Sequence, residues 1–168
     1  MPSLGLVRTL TIVLAALTAL IVAGSSAPST AHADTPVSGT QTGTWTRENS
    51  PYIVTESVDV PNGGTLTIEP GVEVRFQANK RLSVRGTGKL IAEGTASQPI
   101  TFTAAVTNPS PGAWHRLEFE TNATGRLAHC RVEYAGHNGA NVHPAVSVNG
   151  SNVDYSRLYY REQPWGWH

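Results

Sequence analysis

The sequence predicts an all-β chain wound as a solenoid of short coils, and three observations carry that expectation. Apolar residues recur at every second position, glycine-rich corners interrupt them, and similar segments return at intervals of 24 and 26 residues. A period of two puts one strand face in a core and the other in water. Glycine supplies the corners at positive φ that other residues adopt only under strain. Recurrence at about 20–50 residues marks coils that bury their apolar faces by stacking on one another.

The first element stands apart from the fold. Arg8 precedes an apolar run from Leu10 to Val22, and a stretch of small residues then ends in Ala31-His32-Ala33. A basic start, an apolar run and an A-x-A site are the parts of a secretory signal peptide. The run is shorter than the roughly 20 apolar residues that span a bilayer. Cleavage is expected after Ala33, giving a secreted or cell-surface protein with no membrane span. Loss of Arg8 leaves 11 Lys+Arg against 12 Asp+Glu, a balance without the basic footprint of a nucleic-acid or membrane-surface binder. Cys130 is the one cysteine, so no internal disulfide is available.

Residues 34–51 are small, polar and without periodicity, and read as a leader and N-terminal cap. Coils are expected over residues 52–160. Leu66/Ile68, Val72/Val74/Phe76, Leu82/Val84, Ile100/Phe102, Leu117/Phe119, Val132/Tyr134 and Val146/Val148 all alternate with polar or small residues. Turn signals separate them: Pro61 to Gly64, Pro70-Gly71, Gly86 to Gly88, Gly94, Pro109 to Gly112, Gly136 to Gly139 and Asn149-Gly150. At longer range, Leu127 to Tyr134 aligns with Val153 to Tyr160 at an offset of 26, matching Cys130 to Ser156 and Arg131 to Arg157. Leu66, Leu90 and Trp114 recur at 24. Asn62-Gly63 is a hairpin signal that an antiparallel sandwich would use, so the sandwich stays open beside the solenoid on pattern alone.

The segments GGTLTIEPGVEVRF, LSVRGTGKLIAEGT, QPITFTAA and PGAWHRLEF resemble the opening coils of right-handed parallel β-helix repeat proteins, which are exported bacterial and often adhesin-like chains. The resemblance covers about Tyr52 to Tyr160 and implies a short right-handed parallel β-helix of roughly 4–5 coils. It also implies an entry strand at Tyr52 to Val60, with Trp45 helping to cover the first coil.

A β-helix hosts polysaccharide lyases and hydrolases, whose chemistry needs clustered acids to hold Ca²⁺ or to act as a general acid and base. Asp34, Asp59 and Asp154 are widely spaced, and Glu69, Glu73, Glu118 and Glu133 fall on the polar side of the alternation. Glu118 and Glu120 share a face, which reads as solubility. His129, Cys130, His137 and His143 near Glu133 are spaced too loosely for a zinc site, and Cys130 reads as a small buried hydrophobe. No catalytic residue, metal or cofactor is therefore expected. The sequons at Asn122 and Asn149 carry no role in this reading.

Two surface features remain. Arg75, Lys80, Arg81, Arg85 and Lys89 concentrate positive charge within fifteen residues, a candidate contact for an anionic glycan beside the plainer reading of a solvated edge. Tyr155, Tyr159, Tyr160, Trp165 and Trp167 crowd the C-terminal end, and read as core residues lacking a covering coil rather than as sugar-stacking platforms. The chain is expected to be an exported β-helix module with a structural, adhesive or glycan-binding role and no catalysis of its own. Its expected partners are a polysaccharide or another surface protein. The alternative is the N-terminal part of a β-helix polysaccharide lyase or glycoside hydrolase. Residues 161–168 read as an irregular tail of a truncated solenoid, whose bare last coil would self-associate.

Overall fold

A computed structural model of the chain describes residues 33–138, 141–142 and 144–161. The apolar run read as a signal peptide, His143, Trp165 and Trp167 lie outside the described residues. The chain turns through three faces in a fixed order, and each face is a ladder of parallel strands. The first coil is β1 (Thr35–Thr40), which bends from face I to face II, and β2 (Gly43–Trp45) on face III. The second is β3 (Tyr52–Val60), again spanning faces I and II, and β4 (Thr65–Ile68) on face III. The third places β5 (Glu73–Phe76), β6 (Leu82–Val84) and β7 (Lys89–Glu93) on faces I, II and III.

The fourth coil has β8 (Ile100–Ala104), β9 (Leu117–Phe119) and the first half of β10 (Thr124–Glu133). The second half of β10 opens the fifth coil on face I. That coil continues through a small antiparallel pair, β11 (His137–Asn138) and β12 (Asn141–Val142), then β13 (Val146–Val148) and the start of β14 (Asn152–Arg161). The end of β14 adds one more strand to face I. This is a parallel β-solenoid. Among the described residues no helix is long and apolar enough to cross a membrane.

Several sequence expectations change in detail. The segment read as a polar leader contains β1 and β2. An outer coil is held by backbone pairing onto its neighbour, which needs no alternation, and only Val37 and Trp45 are buried there. Tyr52 to Val60 is therefore an inner strand and not the entry strand. Trp45 does lie against the core, its ring stacked on Tyr52 at 4.8 Å. Asn62-Gly63 forms a corner between faces II and III and no hairpin. Asn62 Oδ1 accepts from the backbone N–H of Thr87 (2.9 Å) and from its hydroxyl (2.6 Å), which ties one corner to the next.

The register also differs from the sequence alignment. Cys130 pairs with Leu158 and Val132 with Tyr160, an offset of 28 and not 26. A slip of two residues preserves which side chains point inward, so the pattern alone does not distinguish the two. Leu66 does pair with Leu90, but the next partner of Leu90 is Gly125. Trp114 sits instead in residues 105–116, a connection that lengthens the fourth coil. It is buried there, its ring stacked on Phe76 at 4.0 Å, and its indole N–H donates to the carbonyl of Glu133 at 2.7 Å.

Inward side chains form ladders along the axis: Tyr52, Val74, Phe102, Val132 and Tyr160 on face I, and Val58, Leu82, Leu117 and Val146 on face II. Face III runs Leu66, Leu90, Gly125 and Val153. The gap at Gly125 is filled by the ring of Phe119, which would lie 2.5 Å from a Cβ there.

Candidate functional site

The basic cluster read from the sequence does not stay together, because fifteen residues carry the chain around most of a coil. Arg75 points outward on face I and pairs with Glu73 at 2.9 Å. Lys80 reaches Glu56 at 2.8 Å from the connection before face II. Arg81 and Arg85 flank β6 on face II, and Lys89 starts β7 on face III. Charge pairing raises both Arg75 and Arg85 above the ordinary guanidinium value. The largest cause is a hydrogen bond to Glu73 in one case and to Asp59 in the other, each partly opposed by desolvation.

Face II is a lattice of arginines and carboxylates. Asp59, Ser83, Glu118 and Ser147 occupy one outward row across four coils. Arg85 contacts Asp59 at 2.8 Å and Glu120 at 2.6 Å. Glu118 receives Arg116 at 2.8 Å and Arg81 at 3.4 Å. Between them Arg81 Nε donates to Ser83 Oγ (3.0 Å), which donates on to Glu118 Oε2 (3.3 Å). Glu118 and Glu120 do share a face, as expected. Each is held by arginine.

A second constellation, missed by the sequence reading, lies at the corner between faces III and I. His129, Arg131, Arg157 and Tyr159 line a groove of about 420 Å³ whose other wall is Thr95, Ala96 and Pro99. The corner is made within the long strands β10 and β14, which bend at His129 (φ 47°) and Arg157 (φ 53°). These occupy equivalent places on adjacent coils, between the paired Ala128/Ser156 and Cys130/Leu158. Two residues on, Arg131 pairs in register with Tyr159. The loop wall closes on itself. The N–H groups of Thr95 and Gln98 each donate to the other residue's carbonyl, at 3.0 and 3.2 Å, and Gly94 N–H donates to Ala128 O at 2.8 Å.

The aromatic crowding separates in this geometry. Tyr160 continues an inward ladder and packs against the core, Tyr155 pairs in register with the buried Leu127 yet has 41% of its surface exposed, and Tyr159 is in an outward row with 44% exposed. The sequence alignment pairs Arg131 with Arg157, two residues short of its register partner. The two-residue slip hid that Arg131 neighbours Tyr159.

Cys130 and His129 diverge. The thiol is buried and donates to Ala92 O at 3.2 Å, while His129 faces the groove. Burial pushes the Cys130 thiol up to about 12, partly opposed by hydrogen bonds from the backbone around it. Among the described residues no three His, Cys, Asp or Glu side chains converge as metal ligands. His137 is described only as part of β11, and His143 lies outside the described residues.

Comparison with known proteins places this geometry. A family model described as a pectate-lyase-like beta helix domain matches residues 39–124. The curated protein named Protein bark beetle, from Drosophila melanogaster, is 41% identical over 54 residues. That alignment covers 32% of this chain and 2% of the relative, so the chain corresponds to a small part of that protein. No solved structure matches the chain.

Proposed function

Because the chain belongs to the pectate-lyase-like β-helix domain family, we propose that it is an exported, non-catalytic β-helix module that binds polysaccharide at or outside the cell surface. A fold of this kind is a scaffold, and its activity is decided by the side chains placed on it. The observation that carries the reading is the pairing of the face II carboxylates with arginine. Asp59, Glu118 and Glu120 each face an arginine within 3.4 Å. Lyase and hydrolase chemistry needs carboxylates free to hold a cation or to reach the scissile bond, and these are already engaged by arginine. What remains is a stack of polar rows with rigid spacing, suited to holding a polymer by repeated contacts. Polygalacturonate incubated with the purified chain, with and without Ca²⁺, is expected to yield no unsaturated or reducing ends above a buffer control. Their release by a preparation free of host enzymes would overturn the non-catalytic reading and favour a polysaccharide lyase or hydrolase.

A further inference from the structure

The geometry points to the groove at the corner of faces III and I as a binding site for an acidic polysaccharide, with Tyr159 as the stacking platform and Arg131 and Arg157 as its anion contacts. This inference rests on the glycan-binding reading and adds to it a place and a ligand class. The sign of the charge is the first argument. The side chains around the groove include two arginines and a histidine and no carboxylate. Elsewhere on the coils Arg75, Arg81, Arg85, Arg116 and Arg126 all have a carboxylate within 3.4 Å. Among the described residues Arg157 has none. An anion that enters the groove therefore displaces no ion pair of Arg157, and a carboxylate or sulfate matches the paired N–H geometry of a guanidinium.

Tyr159 supplies the second argument. It takes an outward place in a strand, its ring is exposed, and Arg131 is its register partner on the neighbouring coil. Adjacent strands are about 4.8 Å apart, so the two residues are neighbours along the axis and both line the groove. A flat apolar face beside a cation suits a sugar ring that carries an acidic substituent. The third argument is rigidity. Strand pairing on adjacent coils fixes the bends at His129 and Arg157, and the 95–98 loop closes through its own backbone bonds. Little order has to be gained on binding. A volume of about 420 Å³ lies within the usual range of ligand sites.

Electrophoresis of the chain through gels containing polygalacturonate, dextran sulfate or neutral dextran tests the site. Retardation is expected with an acidic polymer and not with neutral dextran, falling as salt is added. Comparison of the two acidic gels tells a carboxylate ligand from a sulfate one. Arg157→Gln and Tyr159→Ala should each weaken binding by about tenfold or more, with Tyr159→Phe close to the parent and Arg126→Gln unchanged. Urea unfolding curves establish that each variant is folded. Folded Arg157→Gln and Tyr159→Ala variants that bind like the parent would overturn the groove. If Arg81→Gln and Arg85→Gln lost binding in that case, the ligand would lie on face II and the glycan-binding reading would stand. A folded parent that none of the polymers retards would end both.

Discussion

Cys130 illustrates how the row a side chain occupies decides its chemistry. It faces inward between Ile100 and Leu158 on face I, so desolvation holds the thiol neutral and its ionisation rises to about 12 from an ordinary 9.0. The unfolded chain ionises first as the pH climbs, so this contribution to stability is complete below about pH 9 and is lost as the pH approaches about 12. Urea unfolding at about pH 8 and about pH 10.5 should show a loss of stability that shrinks in Cys130→Val. An identical loss in the variant would mean that the thiol is not the group responsible. One residue away the chain bends at His129, whose side chain faces the groove. A catalytic or metal-binding reading of this stretch requires both neighbours on one side, and the bend sends them apart.

Element by element, the two-residue alternation and the corner residues made the strands legible, while the register and the loops were not. The inward rows of β4, β5, β6, β8 and β9 are apolar pairs marked in the sequence, such as Leu66/Ile68 and Leu117/Phe119. Alternation is blind to an even slip, which is why an offset of 28 passed as 26. It is also blind to the outer strands β1 and β2, which backbone pairing holds. The groove was hidden for a related reason, since it joins residues from three coil segments whose proximity depends on the register. The clearest sign that one coil had grown was Gly125, standing where a leucine ladder should continue. Its missing side chain is replaced by the Phe119 ring, and a Cβ there would come within 2.5 Å of it. Gly125→Ala should cost about 1–3 kcal/mol in urea unfolding, and a Phe119→Leu background should reduce that cost by clearing the contact. If the penalty is unchanged in the double variant, something other than the ring excludes the methyl group.

Over the whole solenoid each coil touches only its neighbours, and the ladders of hydrogen bonds between coils run along the axis while the strands run across it. A pull between Asp34 and Arg161 therefore opens those bonds one after another, as a zipper, and does not shear many at once. Coil lengths set how much chain each opening releases. Partners on face III are 24 residues apart from Leu66 to Leu90, 35 from Leu90 to Gly125 and 28 from Gly125 to Val153. At about 3.4 Å per extended residue, these correspond to steps of about 80, 120 and 95 Å. Single-molecule stretching should give a low-force trace with unequal steps, the longest from the coil that carries the 105–116 connection. One abrupt release of the full length would show that the coils fail together. In mechanical terms the inserted loop is a length of slack, stored across the line of tension and paid out only when its own coil gives way.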